Sequence, residues 1–286
     1  MSIVIATNIA SLQAQRALKS HTLELGVTFE RLSSGQRINR ASDDPAGLAL
    51  LTTLERDIRL ADVARRNIND GISLLSLTDS ALFTITNILQ RMAELAEQGA
   101  NGVYTNRQRS VMDLEVQALA SEIERIAHTT EFNTIKLLSA SPQVTIQVGF
   151  DSQSTSRVIL GAVQGTLAAY GLADPNSSQF NHTVLGQSEE EAQENSRMLL
   201  TEIRRAIDQT GQMRGEVGAN ESRLSFSLNN LENTRGILNE GASRIRDADV
   251  ADEVSKMVRL QILQQAATAV MSHANLQPQI ALELLK

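Results

Sequence analysis

The residue types that most often carry chemistry are thinly spread along this chain. None of the 286 residues is cysteine, which excludes disulfide bonds and thiolate chemistry. The four histidines, His21, His128, His182 and His273, lie far apart in the sequence. No His-Glu-x-x-His zinc motif and no Gly-x-x-x-x-Gly-Lys phosphate loop occurs, and no pattern pairs a serine with a base. The sequence therefore predicts no catalytic site, no cofactor and no metal site.

The composition also points away from an enzyme core and from nucleic-acid binding. Aromatic residues make up 3% of the chain and tryptophan is absent, whereas enzyme cores usually rely on aromatic side chains for buried area. The formal net charge is −7, while nucleic-acid-binding proteins usually carry a basic stripe. The N-terminus carries no positive charge before Arg16, and no stretch approaches the roughly 18 apolar residues of a membrane span. The chain is expected to be cytoplasmic, or to leave by a route without a cleaved signal.

One apolar stripe organises residues 51–96. It advances by alternating steps of three and four residues: Leu51, Leu54, Ile58, Ala61, Arg65, Ile68, Ile72, Leu75, Asp79, Leu82, Thr86, Leu89, Ala93, Ala96. Only Arg65, Asp79 and Thr86 interrupt it, and it contains no proline. This repeat predicts a single long helix with a narrow apolar seam that faces other helices. At about 1.5 Å per residue such a helix is roughly 70 Å long, more than a globular core of this mass needs.

Start and stop signals delimit the other helices. Asp44 as N-cap and Pro45 in the first turn begin the long helix, and Gly35 lies where the preceding helix would have its C-cap. Thr105 and Gln108 have the spacing of a capping box. Further helices are expected over about 4–32, 106–128, 189–238 and 248–275, with Pro278 limiting the last. The helix over 189–238 has a seven-residue series that is apolar at five of its six places: Ile203, Thr210, Val217, Leu224, Leu231 and Leu238. A weaker partner series on the same helix is interrupted by Arg214.

The middle of the chain has the period of a β-strand. Val144, Ile146 and Val148 alternate with polar residues, and residues 157–163 can form the return strand. This predicts a β-hairpin over about 144–163, which needs support from neighbouring helices. Residues 165–187 are rich in Gly, Ser and Asn and are expected to form a short surface loop. The predicted fold is mainly α, with long antiparallel helical rods, coiled-coil termini and one small β-hairpin region.

The segment that breaks the helical periodicity carries a recognisable pattern. Residues 32–48 read LSSGQRINRASDDPAGL and resemble the N-terminal signature of bacterial flagellins. The resemblance continues in short segments at 69–73, 100–102, 131–133, 243–249, 261–266 and 274–279. It covers roughly residues 1–165 and 188–286. The chain is similar to a flagellin of short form that lacks large outer domains.

This resemblance implies a domain organisation. Residues 1–42 and 246–286 would form an inner coiled-coil domain that lines the channel of a filament. Residues 43–245 would form a rod-like helical domain around it, with the hairpin and the short loop. Larger flagellins insert outer domains where this chain has only residues 165–187.

The resemblance also implies a function, which is self-assembly into the bacterial flagellar filament for swimming motility, outside the cell. Flagellin termini are disordered in the monomer and fold on joining the filament. The implied partners are other flagellin subunits, the hook–filament junction protein, the filament cap protein and the flagellin export chaperone. Assembly contacts are expected from apolar residues of both termini: Ile5, Ile9, Leu12, Leu18, Ile262, Leu263 and Leu276.

Two further sets of residues each have two interpretations. One set lies in the segment between the implied domains: Arg37, Asn39, Asp43 and Asp44. These residues either form a polar switch whose contacts change when the filament alters its supercoil, or provide ordinary turn and capping chemistry. The other set matches positions where a host Toll-like receptor binds many flagellins: Gln90, Arg91, Leu95 and Glu115. These residues either bind such a receptor or are ordinary solvated helix residues. Leu89 also matches a receptor position, but it belongs to the apolar stripe and is expected in the core.

Two other functions remain open on the sequence. The hook–filament junction adapter has flagellin-like ends, although its C-terminus normally lacks the Gln-Gln-Ala run and the Ala-Asn-x-x-Pro-Gln run found here at 264–266 and 274–279. A secreted coiled-coil adhesin would also consist of long helices, and it would fail to form long filaments under salting-out conditions.

Overall fold

Long α-helices carry most of the chain in the computed structural model, which describes residues 7–140, 143–151, 153–174 and 180–283. The helices are α1 (Ile9–Ser34), α2 (Pro45–Ala100), α3 (Asn106–Thr129), α4 (Glu189–Arg246) and α5 (Val250–Glu283). Short strands lie between α3 and α4: β1 (Glu131–Phe132), β2 (Ile135–Lys136), β3 (Val144–Gln147) and β4 (Arg157–Leu160). The prediction of a mainly α fold with a small β-hairpin region is confirmed.

The chain divides into two compact units, Met1–Ile58 with Gly236–Lys286, and Arg59–Arg235. The first unit contains α1 and α5, and the second contains α3 and the strands. The helices α2 and α4 contribute residues to both units. The main hydrophobic core lies within the second unit and draws its side chains from α2, α3, α4, the β3–β4 hairpin and the segment that follows it.

The predicted capping residues occupy the helix ends. The Asp44 carboxylate accepts a hydrogen bond from the Gly47 N–H at 2.8 Å, which satisfies one of the free donors in the first turn of α2. Gly35 ends α1 in the left-handed conformation, with φ of 70°. Thr105 and Gln108 form both halves of a capping box at the start of α3. These ends are thus fixed by local side-chain chemistry that is readable in the sequence.

One face of α2 is buried along the second unit. Most of its buried residues there form two seven-residue series, one of Ala61, Ile68, Leu75, Leu82, Leu89 and Ala96, and one of Ala64, Gly71, Thr78, Ile85, Met92 and Gly99. Leu74 and Leu95 are buried outside these series. The predicted stripe contained the first series but not the second. In place of the second it held the series with Arg65, Asp79 and Thr86, and these three residues lie half-buried at the margin. The buried face is therefore rotated toward a series that includes Gly71, Thr78 and Gly99, which hydrophobicity alone does not mark as core.

The helix α4 runs antiparallel to α2 within the second unit. Its predicted seven-residue series is buried from Ile203 to Leu231. Within the second unit, three ion pairs join the two helices, at 3.9, 2.8 and 3.1 Å: Glu97–Arg204, Asp79–Arg214 and Asp62–Arg235. Residue numbers fall in α2 as they rise in α4, so the antiparallel prediction is confirmed. Asp79, which interrupts the stripe of α2, pairs with Arg214, which interrupts the weaker series of α4.

The predicted hairpin is present as the antiparallel pair β3–β4, with Val144 opposite Leu160. The buried residues of β4 alternate with exposed ones, so the inner face of the hairpin joins the core while Ile159 points outward. A second antiparallel pair, β1–β2, turns at Asn133 and Thr134, whose φ angles are 48° and 67°. This short pair was not predicted, because strands of two residues leave no periodic signal.

The segment 165–187 differs from the predicted surface loop. Its apolar side chains are buried among the core residues, namely Leu167, Tyr170, Leu172, Ala173 and Val184. Side chains of α3 hold its backbone. Asp113 accepts from the Val184 N–H at 3.0 Å, Gln117 donates to the His182 carbonyl at 3.0 Å, and Glu124 accepts from the Leu167 N–H at 3.0 Å. The prediction of a surface loop is therefore wrong for these residues, since the Gly, Ser and Asn content masked a few well-spaced apolar ones.

Two helices run further than predicted. The helix α4 continues through Gly241 to Arg246, and α5 continues through Pro278 to Glu283. Proline has no N–H to donate to the carbonyl four residues earlier, which here belongs to Ala274. The Asn8 side-chain amide donates to that carbonyl at 2.7 Å. A partner from the other end of the chain thus satisfies the acceptor that Pro278 leaves free.

By length and hydropathy alone, α2 is the one helix in the described residues that could cross a membrane, because an 18-residue window of it has a mean hydropathy of 1.4. The expectation from the sequence, that no stretch of the chain approaches the apolar length of a membrane span, is therefore too strong. A third of that window, 33%, is buried inside the protein, and core helices commonly pass the same test. The buried series of α2 supplies an explanation for its apolar character that needs no membrane.

Candidate functional site

The terminal helices α1 and α5 pair antiparallel in the first unit. The Ser11 hydroxyl donates to the Asn275 side chain at 2.7 Å, and the Gln264 amide donates to the Thr22 hydroxyl at 3.0 Å. Arg31 lies 3.3 Å from Glu253. Residue numbers rise in α1 as they fall in α5, so α1 and α5 form an antiparallel helix pair with contacts along its length.

The inner face of this pair is built from few and mostly small residues. Among the side chains that the structure describes, the buried ones are Ser11, Ala14, Leu25 and Thr28 on α1, and Glu253, Leu260 and Ala274 on α5. An ordinary two-helix coiled coil places its large aliphatic residues in this seam. Here the seam is narrow and partly polar, so the pair by itself buries little apolar surface.

Most of the large apolar side chains that the structure describes on both helices are instead exposed to solvent. On α1 they are Ile9, Leu12, Leu23, Val27 and Phe29, and on α5 they are Val250, Val254, Val258, Ile262, Leu263, Val270 and Leu276. Monomeric proteins rarely leave contiguous apolar surface of this kind uncovered. The outer faces of α1 and α5 are therefore the candidate functional site of this chain.

The predicted assembly residues fall largely on these faces. Ile9, Leu12, Ile262, Leu263 and Leu276 are exposed, and Leu18 is half-buried. Ile5 lies outside the described residues. Sequence reasoning missed an exposed row on α5 that advances by four residues: Val250, Val254, Val258 and Ile262. Such rows are the ridges by which helices interlock, and a search for spacings of four would have found it.

Arg37 lies at the C-terminal end of α4. Its backbone N–H donates to the Arg246 carbonyl at 2.6 Å, and its guanidinium Nη2 donates to the Ile245 carbonyl at 2.9 Å. The last carbonyls of a helix lack partners within the helix and carry partial negative charge. Arg37 therefore caps α4 from the segment that joins α1 to α2, a tertiary contact that the sequence did not indicate.

The other three residues of this set make local contacts. Asp43 accepts hydrogen bonds from the Arg40 N–H at 3.0 Å and the Asn39 N–H at 3.1 Å, and these two bonds hold the pKa of its carboxyl below the usual value. Asp44 caps α2 and lies 3.9 Å from Arg37. The structure thus shows capping and turn chemistry at all four positions.

The residues matched to a receptor site divide into two groups. Gln90, Arg91 and Glu115 are exposed, and Arg91 binds Glu115 at 2.8 Å and Glu94 at 3.0 Å. Those two bonds raise the pKa of the Arg91 guanidinium above its usual value. Leu95 is only 2% exposed and belongs to the core, as does Leu89, so the placement of Leu95 on an outer face is wrong. Its position in the chain puts it one turn from Arg91 but on the side that packs inward.

Comparison with known proteins gives a consistent family. Residues 5–143 match the N-terminal helical region of bacterial flagellins, and residues 200–285 match the C-terminal helical region. A flagellin of Halalkalibacterium halodurans is 36% identical over 284 residues, covering 99% of this chain and 100% of that protein. The flagellar filament 30.7 kDa core protein of Treponema maltophilum is 31% identical over 291 residues, covering 99% of this chain and 100% of that protein.

A solved structure shares the fold. The putative flagellar hook-associated protein from Vibrio parahaemolyticus has a TM-score of 0.58 and 17% identity, covering 72% of this chain and 100% of that one. The sequence relatives of high coverage are filament proteins, so neither the junction adapter nor the adhesin is favoured. The two matched regions and the full-length relatives show that the chain belongs to the bacterial flagellin family and is a structural subunit of the flagellar filament.

Proposed function

We propose that this subunit polymerises through the outer faces of α1 and α5, which pack against the same helices of neighbouring copies. The observation that carries the proposal is the reversed distribution of side chains in the α1–α5 pair. Apart from Leu25 and Leu260, the residues buried between the two helices are small or polar, and most of the large apolar ones are exposed. Further helices are needed to cover those outer faces, and identical subunits supply them in a homopolymer.

Assembly then supplies much of the free energy that folds the termini. Burying a Val, Leu or Ile side chain that was exposed contributes about 1.5–3 kcal/mol, and each terminal helix exposes several such residues. The isolated pair lacks this contribution, and single helices are marginal in water. We therefore expect α1 and α5 to become ordered as a subunit joins the filament, so that ordering is coupled to binding.

The proposed arrangement assigns residues 1–42 and 246–286 to the innermost layer and residues 43–245 to the layer around it. Contacts between unlike faces that do not close into a ring generate an open helical array. Arg37, Asn39, Asp43 and Asp44 lie on either side of the boundary between these layers, at residues 42 and 43. We propose that the bond from Arg37 to the end of α4 is the contact that changes when the filament changes its supercoil.

The wider partners follow from the same assignment. The subunit would leave the cell unfolded, bound first by an export chaperone, and would be added below a filament cap protein on top of the hook–filament junction protein. The absence of cysteine and the low aromatic content are compatible with passage through a narrow channel. A Toll-like receptor of a host would meet Gln90, Arg91 and Glu115, which the second unit exposes.

The decisive experiment replaces one apolar side chain by a charge. The variants Ile262→Asp and Leu263→Asp place a carboxylate on the outer face of α5, where burial without a partner is strongly unfavourable. Purified protein is induced to polymerise with ammonium sulfate and viewed by electron microscopy, and circular dichroism checks that the second unit remains folded. Both variants should form no filaments while keeping the thermal transition of the parent protein.

A matched control carries the same chemical change elsewhere. Val111 is an exposed apolar residue on α3, 66% exposed, in the second unit. Val111→Asp should polymerise far better than either α5 variant, because it lies outside the terminal helices. Normal filaments from Ile262→Asp and Leu263→Asp would show that the outer face of α5 makes no assembly contact.

A further inference from the structure

The turn between α2 and α3 contains the dipeptide Asn101-Gly102, and both residues are exposed. The Asn101 side-chain oxygen Oδ1 accepts a hydrogen bond from the Val103 N–H at 3.1 Å. This bond closes an Asx turn, in which the Asn101 side chain folds back along the backbone of the turn. In the described part of the chain the Gly102 N–H donates to no acceptor, so this nitrogen is not engaged.

Arg109 lies directly beneath this turn and is fully buried. Its guanidinium donates through Nε to the Gly99 carbonyl at 2.9 Å, through Nη2 to the Asn101 carbonyl at 3.0 Å, and through Nη1 to Asn106 Oδ1 at 3.4 Å. All three acceptors are neutral oxygens. A buried cation is costly unless an opposite charge pairs with it. Here three neutral oxygens offset part of that cost, two of them carbonyls at or just beyond the C-terminal end of α2.

We propose that Asn101 is a site of spontaneous covalent modification, in which it converts to isoaspartate. The Gly102 nitrogen, losing its proton to water, attacks Cγ of Asn101 and forms a new C–N bond, while Nδ2 leaves as ammonia. The product is a five-membered succinimide. Negative charge that develops on Oδ1 during the attack is stabilised by the Val103 N–H, which already donates to that atom.

Hydrolysis of the ring decides which product forms. Water that attacks Cγ gives aspartate, and water that attacks the main-chain carbonyl carbon breaks the original peptide bond and gives isoaspartate. In isoaspartate the chain runs through Cγ, and the former main-chain carbonyl of residue 101 becomes a free carboxylate. That carbonyl is the acceptor of Arg109 Nη2. The modification therefore turns a neutral acceptor into a carboxylate beside a buried guanidinium, which forms a stronger, charge-assisted pair.

The sequence makes this site distinct from the other asparagines. Asn101 is the single asparagine followed by glycine, and glycine leaves its nitrogen free of the steric shielding that a Cβ would provide. Asn87 is exposed on the surface of helix α2 and is followed by the β-branched Ile88. It should remain intact under conditions that convert Asn101, and it provides an internal reference in every sample.

The test is incubation of the purified full-length protein at neutral pH and 37 °C, followed by peptide mass spectrometry with electron-transfer fragmentation to separate isoaspartate from aspartate. The same chain unfolded in urea is incubated in parallel. We expect the folded protein to convert Asn101 at least as fast as the unfolded chain, with a higher ratio of isoaspartate to aspartate because of Arg109. Asn87 should stay unmodified in both.

Gly102→Ala is the matched control variant. A Cβ at Gly102 would lie 3.3 Å from the flexible end of Gln193, and the φ angle of Gly102 is not in the left-handed region, so the fold tolerates alanine. This variant should slow the conversion severalfold without altering the circular dichroism spectrum. The proposal is overturned if Asn101 stays intact in the folded protein while the unfolded chain converts. It is also overturned if the two states give the same product ratio.

Discussion

The side chain of Asn8 forms hydrogen bonds with both terminal helices, α1 and α5. Its Oδ1 accepts from the Ser11 N–H at 3.0 Å and caps α1, while its Nδ2 donates at 2.7 Å to the Ala274 carbonyl, the acceptor that Pro278 leaves free. Loss of a side-chain N-cap costs about 1 kcal/mol. Loss of a hydrogen bond to a carbonyl costs about 1 kcal/mol more. Asn8→Ala should therefore destabilise the α1–α5 pair by about 2 kcal/mol.

The assay is the critical concentration for polymerisation, because ordering of the termini is proposed to accompany assembly. A loss of about 2 kcal/mol per subunit raises that concentration by roughly thirtyfold. Asn8→Asp keeps the capping oxygen but cannot donate to Ala274, so it should cost about half as much as Asn8→Ala.

The background Pro278→Ala supplies the decisive comparison, since alanine at this position restores the N–H that can serve the Ala274 carbonyl. In that background Asn8→Asp should raise the critical concentration much less than it does beside Pro278. Equal effects in both backgrounds would refute the idea that Asn8 compensates for the proline, and an unchanged critical concentration for Asn8→Ala would refute both roles.

Two further predictions concern carboxylates. The pKa of Asp43 is lowered in the folded state, so the stabilising effect of its carboxylate is fully present above the ordinary pKa of 3.8 and is lost as pH falls through the lowered pKa. Asp43→Asn should therefore make filament dissociation less dependent on pH in this acidic range. An identical pH profile for the parent and the variant would contradict this prediction. Asp113→Ala removes acceptors from the Thr183 hydroxyl and the Val184 N–H and should lower the free energy of unfolding by about 2–3 kcal/mol in urea titrations. Glu122, a half-buried carboxylate that pairs with Arg125 one turn along the same helix, is the control for the second. A urea midpoint for Asp113→Ala no lower than that for Glu122→Ala would show that the bonds from Asp113 to Thr183 and Val184 do not stabilise the fold.

The sequence by itself determined the helices and most of their ends. Capping chemistry is local: the Asp44 carboxylate, the Thr105–Gln108 pair and the left-handed Gly35 act within a few residues, so their types and spacing suffice. The long seven-residue repeats of α2 and α4 likewise fixed two paired helices. The flagellin signature at residues 32–48 named the family, and the full-length relatives confirm it.

Only the tertiary structure decided which face of each helix is covered. Gly71, Thr78 and Gly99 are buried in α2 because small residues let neighbouring side chains approach closely, and no hydrophobicity scale marks them as core. Leu95 is buried although the resemblance placed it on a binding face. Helical spacing defines faces relative to one another, but the neighbours that cover a face come from distant parts of the chain. For the same reason the bond from Asn8 to Ala274 could be read only from the folded molecule, and only the structure shows that the row of four-residue spacing on α5 is exposed.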